Sequence, residues 1–259
     1  MRRSLSRLAL AIAIGSTAVG AATAQAESII VKPYMQHMHT DSTWVLWETD
    51  FGSESIVEWG STKALGQTST GTAIKNAPLR RIHETELSGL QAGTTYYYRV
   101  RTGTAVSDIY QFKTPSHSHH EEDSRIVAMS DMQIDLLRPN KFREIVENGV
   151  LNYLQDQYGA VSNVSEQLDL VMIPGDLVDN GNTLLEWQYT FFKPIENLAP
   201  YVPLYPAPGN HENDSDYYFN YFHLPENGTP GYEEHWWYKD QGNIRLISLD
   251  TNDGYRIQA

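Results

Sequence analysis

Hydrophobic and polar residues alternate with a period of two in several short runs between residues 28 and 115. The runs cover residues 43–48, 55–59, 96–101 and 110–112, and turn-forming residues separate them. This alternation is typical of β-strands that turn one face to a core, and no helical periodicity interrupts it. A succession of short strands of this kind predicts a β-sandwich over residues 28–115.

Residues 90–96 read Leu-Gln-Ala-Gly-Thr-Thr-Tyr. This form is typical of a tyrosine corner, in which a tyrosine hydroxyl near the start of a strand bonds to the backbone a few residues upstream. We therefore expect the hydroxyl of Tyr96 to make such a bond, which would fix one crossover of the sandwich.

The pattern changes after a polar connector at residues 116–123. Apolar runs predict four further strands, at residues 125–129, 168–173, 202–206 and 244–249. Two stretches of helical periodicity lie between them, at residues 142–154 and 183–198. Alternating strands and helices predict an α/β layered domain over residues 124–259. Gly149 lies inside the first helix, where glycine costs about 1 kcal/mol relative to alanine, so we expect close packing there.

The first 26 residues have the pattern of a secretory signal. Arg2, Arg3 and Arg7 precede a short apolar run at residues 8–14, and Ala24-Gln25-Ala26 follows as a small-residue cleavage site. The apolar run is too short to serve as a membrane anchor. We therefore expect cleavage after Ala26 and a secreted or periplasmic protein.

Composition narrows the classes of partner. The chain has 259 residues, a formal net charge of -13 and no cysteine. Strong negative charge disfavours nonspecific binding to nucleic acid or to an anionic membrane. An exported chain without disulfides has to be stabilised by core burial, which this length allows. The oligomeric state stays open.

Polar residues capable of binding metal follow three of the predicted strands. Asp131 follows the first strand, Asp176 the second, and Gly209-Asn210-His211-Glu212 the third. Ligands of such sheets bind beyond the carboxyl ends of the strands, so these residues should share one site. Two carboxylates so close would repel each other unless cations lie between them. Oxygen and imidazole donors suit manganese, iron or zinc, and a pair of such ions can hold both the attacking and the leaving oxygen of a phosphoryl displacement.

These motifs resemble those of the calcineurin-like metallophosphoesterases, and most closely the purple acid phosphatases. The β-sandwich is similar to the fibronectin type III-like domain that precedes the catalytic domain in those enzymes. The resemblance implies an enzyme that hydrolyses small phosphate esters with two metal ions. It also implies that Asp131 binds the first ion, Asp176 bridges both, and Asn210 binds the second through its side-chain oxygen.

The same resemblance assigns roles to the neighbouring residues. Gln133 stands where the family usually has histidine or glycine, and its side-chain oxygen is a candidate ligand of the first ion. His211 would orient the ester or protonate the leaving oxygen, and Glu212 would set the tautomer of that imidazole. Asp179 stands where purple enzymes have a metal-bound tyrosine, so we expect a colourless enzyme.

The resemblance also implies a later histidine ligand and then a Gly-His-x-His turn. After Glu212 the chain offers only His223 and His235, and neither occurs in that form. We therefore expect residues 124–259 to be an incomplete, C-terminally truncated phosphoesterase domain. A noncatalytic extracellular binding or adhesion module with a decayed phosphatase-like domain is the alternative.

Overall fold

A computed structural model describes residues 26–119, 123–159 and 164–252. The signal sequence expected at residues 1–26 lies outside this range except for Ala26. None of the helices that the structure describes is both long enough and apolar enough to cross a membrane.

Residues 29–113 form two antiparallel sheets, which confirms the predicted sandwich-like fold. The first sheet has the order β1-β2-β6-β5, with β1 at Ile29–Gln36, β2 at Ser42–Thr49, β5 at Thr72–Ala77 and β6 at Arg80–Ser88. The second sheet contains β3 (Ile56–Gly60), β4 (Gln67–Thr70), β7 (Thr95–Thr102), β8 (Ala105–Val106) and β9 (Tyr110–Lys113). In that sheet β3 lies between β4 and β7, and β7 also pairs with β8 and β9.

Alternation along the strands creates the sandwich core. Every second residue of β7 is buried, and these residues face Val45 and Trp47 of β2. The Trp47 indole N–H donates to the Thr102 hydroxyl at 3.0 Å, so a buried polar atom is satisfied inside the core. The tyrosine corner also forms, because the hydroxyl of Tyr96 accepts a hydrogen bond from the Gln91 N–H at 2.9 Å.

The second region is built on a parallel three-stranded sheet with the order β10-β11-β12. These strands are β10 (Ile126–Ala128), β11 (Leu170–Pro174) and β12 (Leu204–Ala207). The fourth predicted strand is β14 (Ile244–Ser248), and it pairs antiparallel with β13 (Trp237–Gln241). The sequence pattern does not predict β13, so the hairpin is a finding of the structure.

Helices connect these strands as the α/β pattern predicts. The first runs through α1 (Lys141–Glu144), a π-helical segment (Ile145–Leu151) and α2 (Asn152–Tyr158), and α3 is Val164–Gln167. The second runs through α4 (Leu184–Glu186), a π-helical segment (Trp187–Phe192) and α5 (Lys193–Ile195), and α6 is Asp216–Tyr221. A side chain at Gly149 would meet nothing within 4 Å. The expectation of close packing at Gly149 is therefore wrong.

The outer face of the first sheet is buried against the α/β region. Tyr34, Leu46 and Ile82 belong to the same hydrophobic core as the residues that surround the parallel sheet. Glu48, on the same face, has no exposed surface and accepts hydrogen bonds from the Gln188 amide at 3.0 and 3.1 Å and from the Tyr221 hydroxyl at 3.0 Å. Burial raises the pKa of Glu48. The two regions therefore share one continuous core.

Candidate metal centre

The loops that follow β10, β11 and β12 meet at one edge of the parallel sheet, as the sequence predicts. The N–H of Met132 donates to the Asp176 carbonyl at 2.9 Å, which joins the first loop to the second. The N–H of His211 donates to the Asp176 carboxylate at 3.2 Å, and the N–H of Gly181 donates to the His211 carbonyl at 2.8 Å. Asp176 therefore lies between the other two loops.

Backbone conformation brings the two acids to this position. Asp131 and Asp176 both adopt positive φ angles, 57° and 56°, a region in which aspartate is enriched among residues other than glycine. Glycines allow the second and third loops to approach, because a Cβ on Gly175 would lie 2.9 Å from the Gly209 Cα. A Cβ on Gly209 would lie 2.2 Å from the Asp176 carboxylate. Both positions therefore require glycine.

Glu212 holds these loops together from below the surface. Its side chain is fully buried, and its two oxygens accept hydrogen bonds from the N–H groups of Asp176 at 2.9 Å, Leu177 at 2.8 Å and Gly209 at 2.6 Å. Burial raises the pKa of Glu212, and the three backbone donors oppose that rise. Both oxygens of Glu212 are therefore used in fixing the backbone around Asp176.

The ring of His211 is positioned by another residue than expected. Its Nδ1 lies 2.7 Å from the Asp179 carbonyl oxygen, while an Asp179 carboxylate oxygen lies 3.7 Å away. A carbonyl can only accept, so Nδ1 carries a hydrogen and Nε2 is left to exchange a proton with a bound group. The bond from the Asp179 backbone raises the pKa of His211, and nearby carboxylates add to the rise. The expectation that Glu212 sets this tautomer is wrong, because the Asp179 carbonyl does so.

The remaining candidate ligands flank this arrangement. Asn210 is exposed on the third loop, between Gly209 and His211, which both contact Asp176. The Gln133 side-chain oxygen is buried without a hydrogen-bond partner among the described residues. Asp131 is exposed and accepts a hydrogen bond from the Ser130 hydroxyl at 2.6 Å.

The donors collected here are mostly oxygen atoms. Within residues 26–119, 123–159 and 164–252, no group of three or more histidine, aspartate or glutamate side chains is arranged to hold a metal ion. The described part of the site thus offers two carboxylates, with amide oxygens beside them, rather than a closed set of acids and imidazoles.

Two contacts near the centre are made by groups other than the candidate ligands. The Asp179 carbonyl acts through the backbone, which no residue type signals. Asp250 is almost fully buried and accepts the Asn252 N–H at 2.9 Å, and the Asn252 amide donates to the Pro208 carbonyl at 3.3 Å. The chain after β14 therefore braces the loop that carries Asn210.

A pocket of about 170 Å³ opens beside Asp131 and Gln133. Its walls combine apolar side chains with the basic residues Arg138 and Lys141, and Tyr189 stands at one side. Neither basic side chain forms an ion pair with the residues that the structure describes. The pocket therefore combines these two basic side chains with the carboxylates of Asp131 and Asp135.

Residues 124–256, more than half of the chain, match the family model for calcineurin-like phosphoesterases. The chain belongs to the calcineurin-like phosphoesterase family. Residues 31–114 match the model of the purple acid phosphatase N-terminal domain, so the sandwich and the phosphoesterase domain occur in the order that the sequence motifs indicate. The resemblance drawn from those motifs is confirmed.

Solved structures share the fold of this calcineurin-like phosphoesterase. The purple acid phosphatase PPD1 from yellow lupin (Lupinus luteus) superposes with a TM-score of 0.62 at 20% identity, covering 86% of this chain and 46% of that one. PhoD superposes with a TM-score of 0.60 at 14% identity, covering 86% of this chain and 52% of that one. At these identities the similarity establishes the fold alone.

A curated relative is similar over a shorter stretch. A probable glycerophosphodiester phosphodiesterase, GpdQ, from Arcobacter nitrofigilis is 31% identical over 90 residues, which are 35% of this chain and 28% of the relative. This chain therefore spans about half the length of the solved structures and less than a third of the curated relative.

Proposed function

We propose that this chain forms part of an exported, metal-dependent phosphoesterase that hydrolyses small phosphate esters. The observation that carries the proposal is the position of Asp176, which contacts the loops bearing Asp131 and His211 and lies against Gly209. Membership of the calcineurin-like phosphoesterase family supports the chemistry. The signal-like pattern of residues 1–26 supports export.

The donors around Asp176 suit two metal ions of the iron, manganese or zinc type. The unpartnered, buried oxygen of Gln133 supports its role as a ligand beside Asp131, because such an atom otherwise loses a hydrogen bond. Asp176 would bridge the two ions and Asn210 would bind the second. Such ions, when bound, would lower the pKa of a water molecule and neutralise the charge of the phosphoryl group.

Side chains of the protein would then orient the ester and protonate its leaving oxygen. With Nδ1 bonded to the Asp179 carbonyl, Nε2 of His211 is the atom left for a bound ester, and the imidazolium form, which the raised pKa of His211 favours, would donate its Nε2 proton to the leaving oxygen. Glu212 does not touch the ester in this scheme. It keeps Asp176 and Gly209 in place through their backbone N–H groups.

The pocket beside Asp131 is the proposed position of the ester's organic group. Its apolar walls would exclude water from that group, and Arg138 and Lys141 would attract negative charge on it. An anionic group on the ester would be favoured only where it lies beside Arg138 or Lys141, because Asp131 and Asp135 line the same pocket.

The expected truncation stays a prediction. One observation supports it besides the shorter span relative to the solved structures. The outer face of the β13–β14 hairpin exposes three apolar side chains, which a further layer of the domain would cover. Tyr238 is 46% exposed, Ile247 62% and Leu249 57%. Such a layer would be the source of the histidine ligands that the family resemblance implies.

Metal content and hydrolysis test the proposal together. The full-length protein is expressed with each of the three metals, its bound metal is measured by plasma mass spectrometry, and p-nitrophenyl phosphate and its bis ester are assayed. We expect about two metal ions per chain and hydrolysis of at least one ester. Asp176→Asn should remove both bound metal and activity, whereas Asp156→Asn, on exposed α2, should keep both.

Failure would take two distinguishable forms. Metal-free full-length protein that leaves both esters intact would refute the phosphoesterase and favour the noncatalytic binding module. Full activity in Asp176→Asn would refute the ligand assignment while leaving the reaction class in place.

A further inference from the structure

A hydrogen-bonded turn beside the candidate metal centre exposes two adjacent leucines. Leu136 and Leu137 are 89% and 91% exposed, more than any other large apolar side chain in the part of the chain that the structure describes. Single exposed leucines are ordinary on protein surfaces. The tip of a turn, however, is usually occupied by glycine, proline, asparagine, aspartate or serine. This turn therefore carries an apolar pair where polar or turn-forming residues are the norm.

Hydrogen bonds fix the turn on both sides of the leucines. The Asp135 carbonyl accepts the Arg138 N–H at 2.9 Å, and the Asp135 carboxylate accepts the Leu137 N–H at 2.8 Å. The Arg138 carbonyl accepts the Lys141 N–H at 3.0 Å, which joins the turn to the start of α1. Because the backbone is already held, a ligand that contacts the leucines does not have to order the turn first.

The turn lies at the edge of the pocket beside Asp131. Asp135 and Arg138, the residues on either side of the leucines, both line that pocket. Three partly exposed apolar side chains line it as well: Ile134, Ile145 and Tyr189. We call these three side chains and the two leucines the apolar rim.

The charged groups at this pocket do not select for one sign. Two carboxylates, Asp131 and Asp135, and two basic side chains, Arg138 and Lys141, line it together. The helices beside the pocket carry paired charges and an exposed acid: Arg143 with Glu147 at 3.4 Å, Lys193 with Glu196 at 2.8 Å, and Glu144. Apolar contact is therefore the feature by which the rim would recognise a ligand.

The position of the rim decides which ligand fits. A protein partner seated on it would block the pocket that the proposed function assigns to the organic group of the ester. An organic group too long for this pocket of about 170 Å³ would instead leave it across the rim. A chain on the rim would be removed from water together with the leucines, and each fully buried methylene group raises the affinity about fourfold.

We propose that the site prefers phosphate esters whose organic group carries an alkyl or acyl chain. This inference rests on the proposed function and names its substrate class. Such an ester can reach the site as a single molecule or from a lipid surface, and the chemistry that the rim recognises is the same in both cases.

Alkylphosphonates test the preference for a long chain, because they bind as esters do but are not hydrolysed. Binding of butylphosphonate and of octylphosphonate to the metal-loaded full-length protein is measured by isothermal titration calorimetry, at concentrations at which both are monomeric. Octylphosphonate has four more methylene groups, and their partial burial should tighten binding about tenfold or more.

A vesicle experiment distinguishes the two sources of the ester. The same protein is sedimented with phosphatidylcholine vesicles that contain phosphatidic acid. Sedimentation with the vesicles would indicate an ester taken from a lipid surface, whereas tighter octylphosphonate binding without sedimentation would indicate a monomeric ester. Both results support the inference.

The double variant Leu136→Ser, Leu137→Ser tests the rim itself. Both side chains are exposed, so the variant should fold. The ratio of octylphosphonate to butylphosphonate affinity should fall by about threefold or more, because the chain loses apolar contact. Leu79→Ser, at an exposed leucine between β5 and β6, is the matched control and should keep the wild-type ratio.

The inference is overturned if the wild-type ratio is below tenfold, or if the double variant lowers it by less than threefold. An unchanged ratio with a large fall in the urea midpoint would show that another part of the full-length chain covers the leucines. If the double variant does not fold, the wild-type ratio still decides. Full-length protein without metal or hydrolysis refutes the proposed function as well, whereas active protein without a preference for the longer chain refutes this inference alone.

Discussion

Replacing Glu212 by alanine should destabilise the protein strongly, because one carboxylate holds three backbone N–H groups. These belong to Asp176, Leu177 and Gly209, at 2.6 to 2.9 Å. A hydrogen bond to a charged group contributes about 1.5–3 kcal/mol, and we take the lower end because burial already disfavours the charged form. Three bonds then give a loss of about 4.5 kcal/mol in the free energy of unfolding. Domains are stable by about 5–15 kcal/mol, so this loss is large.

Urea denaturation of the metal-free full-length protein measures the effect, with tryptophan fluorescence as the probe. Glu212→Gln keeps the volume but only one accepting oxygen, so its loss should lie between those of the wild type and Glu212→Ala. Glu226→Ala is the matched control. That residue is exposed, and its removal should change the free energy of unfolding by less than about 0.5 kcal/mol.

Two results would contradict this role of Glu212. If Glu212→Ala lost less than about 1 kcal/mol, the three backbone bonds would not stabilise the loops as argued. If Glu212→Gln were as stable as the wild type, the charge of the carboxylate would be irrelevant to them.

Three other results are expected. Tyr96→Phe should lower the free energy of unfolding by about 1 kcal/mol through loss of the tyrosine corner, and Tyr97→Phe should not; equal losses in urea denaturation would contradict this. Burial raises the pKa of Glu234 to about 8, so its stabilising contribution is complete below its ordinary value of 4.5 and is lost as the pH rises through about 8. The melting temperature should therefore fall less steeply between pH 5 and 9 for Glu234→Gln than for the wild type. The variant Glu86→Gln, at an exposed position, should keep the wild-type slope. Arg138→Ala should raise KM several-fold for esters with an anionic leaving group and leave kcat unchanged; an unchanged KM would remove this residue from substrate binding.

Much of the fold is readable from the sequence because its signals are local. Two-residue alternation marks the sandwich strands, and the tyrosine corner is a seven-residue motif whose hydrogen bond is present. The α/β alternation is equally visible. The strand β13 is not predictable in this way. Two of the three buried residues on its inner face, Lys239 and Gln241, are polar, so the sequence does not show the alternation of a strand there.

The sequence likewise predicts one part of the candidate metal centre and not the other. Asp131 and Asp176 follow apolar strands, so their approach is predictable from sheet geometry. The hydrogen bonds of Glu212 are not predictable, because their donors are backbone N–H groups on two loops and no residue type indicates them. The hydrogen bond from His211 to the Asp179 carbonyl is hidden for the same reason.

The first sheet of the sandwich buries residues on both of its faces. Leu46 and Ile82 fill the core of the neighbouring domain, and Glu48 finds its hydrogen-bond partners there. The sandwich is therefore not a transplantable module. Expressed alone, it would expose an apolar sheet surface and leave the Glu48 carboxylate without these hydrogen-bond partners. An exchange of the sandwich between relatives would therefore also require the residues of the phosphoesterase domain that pack against it.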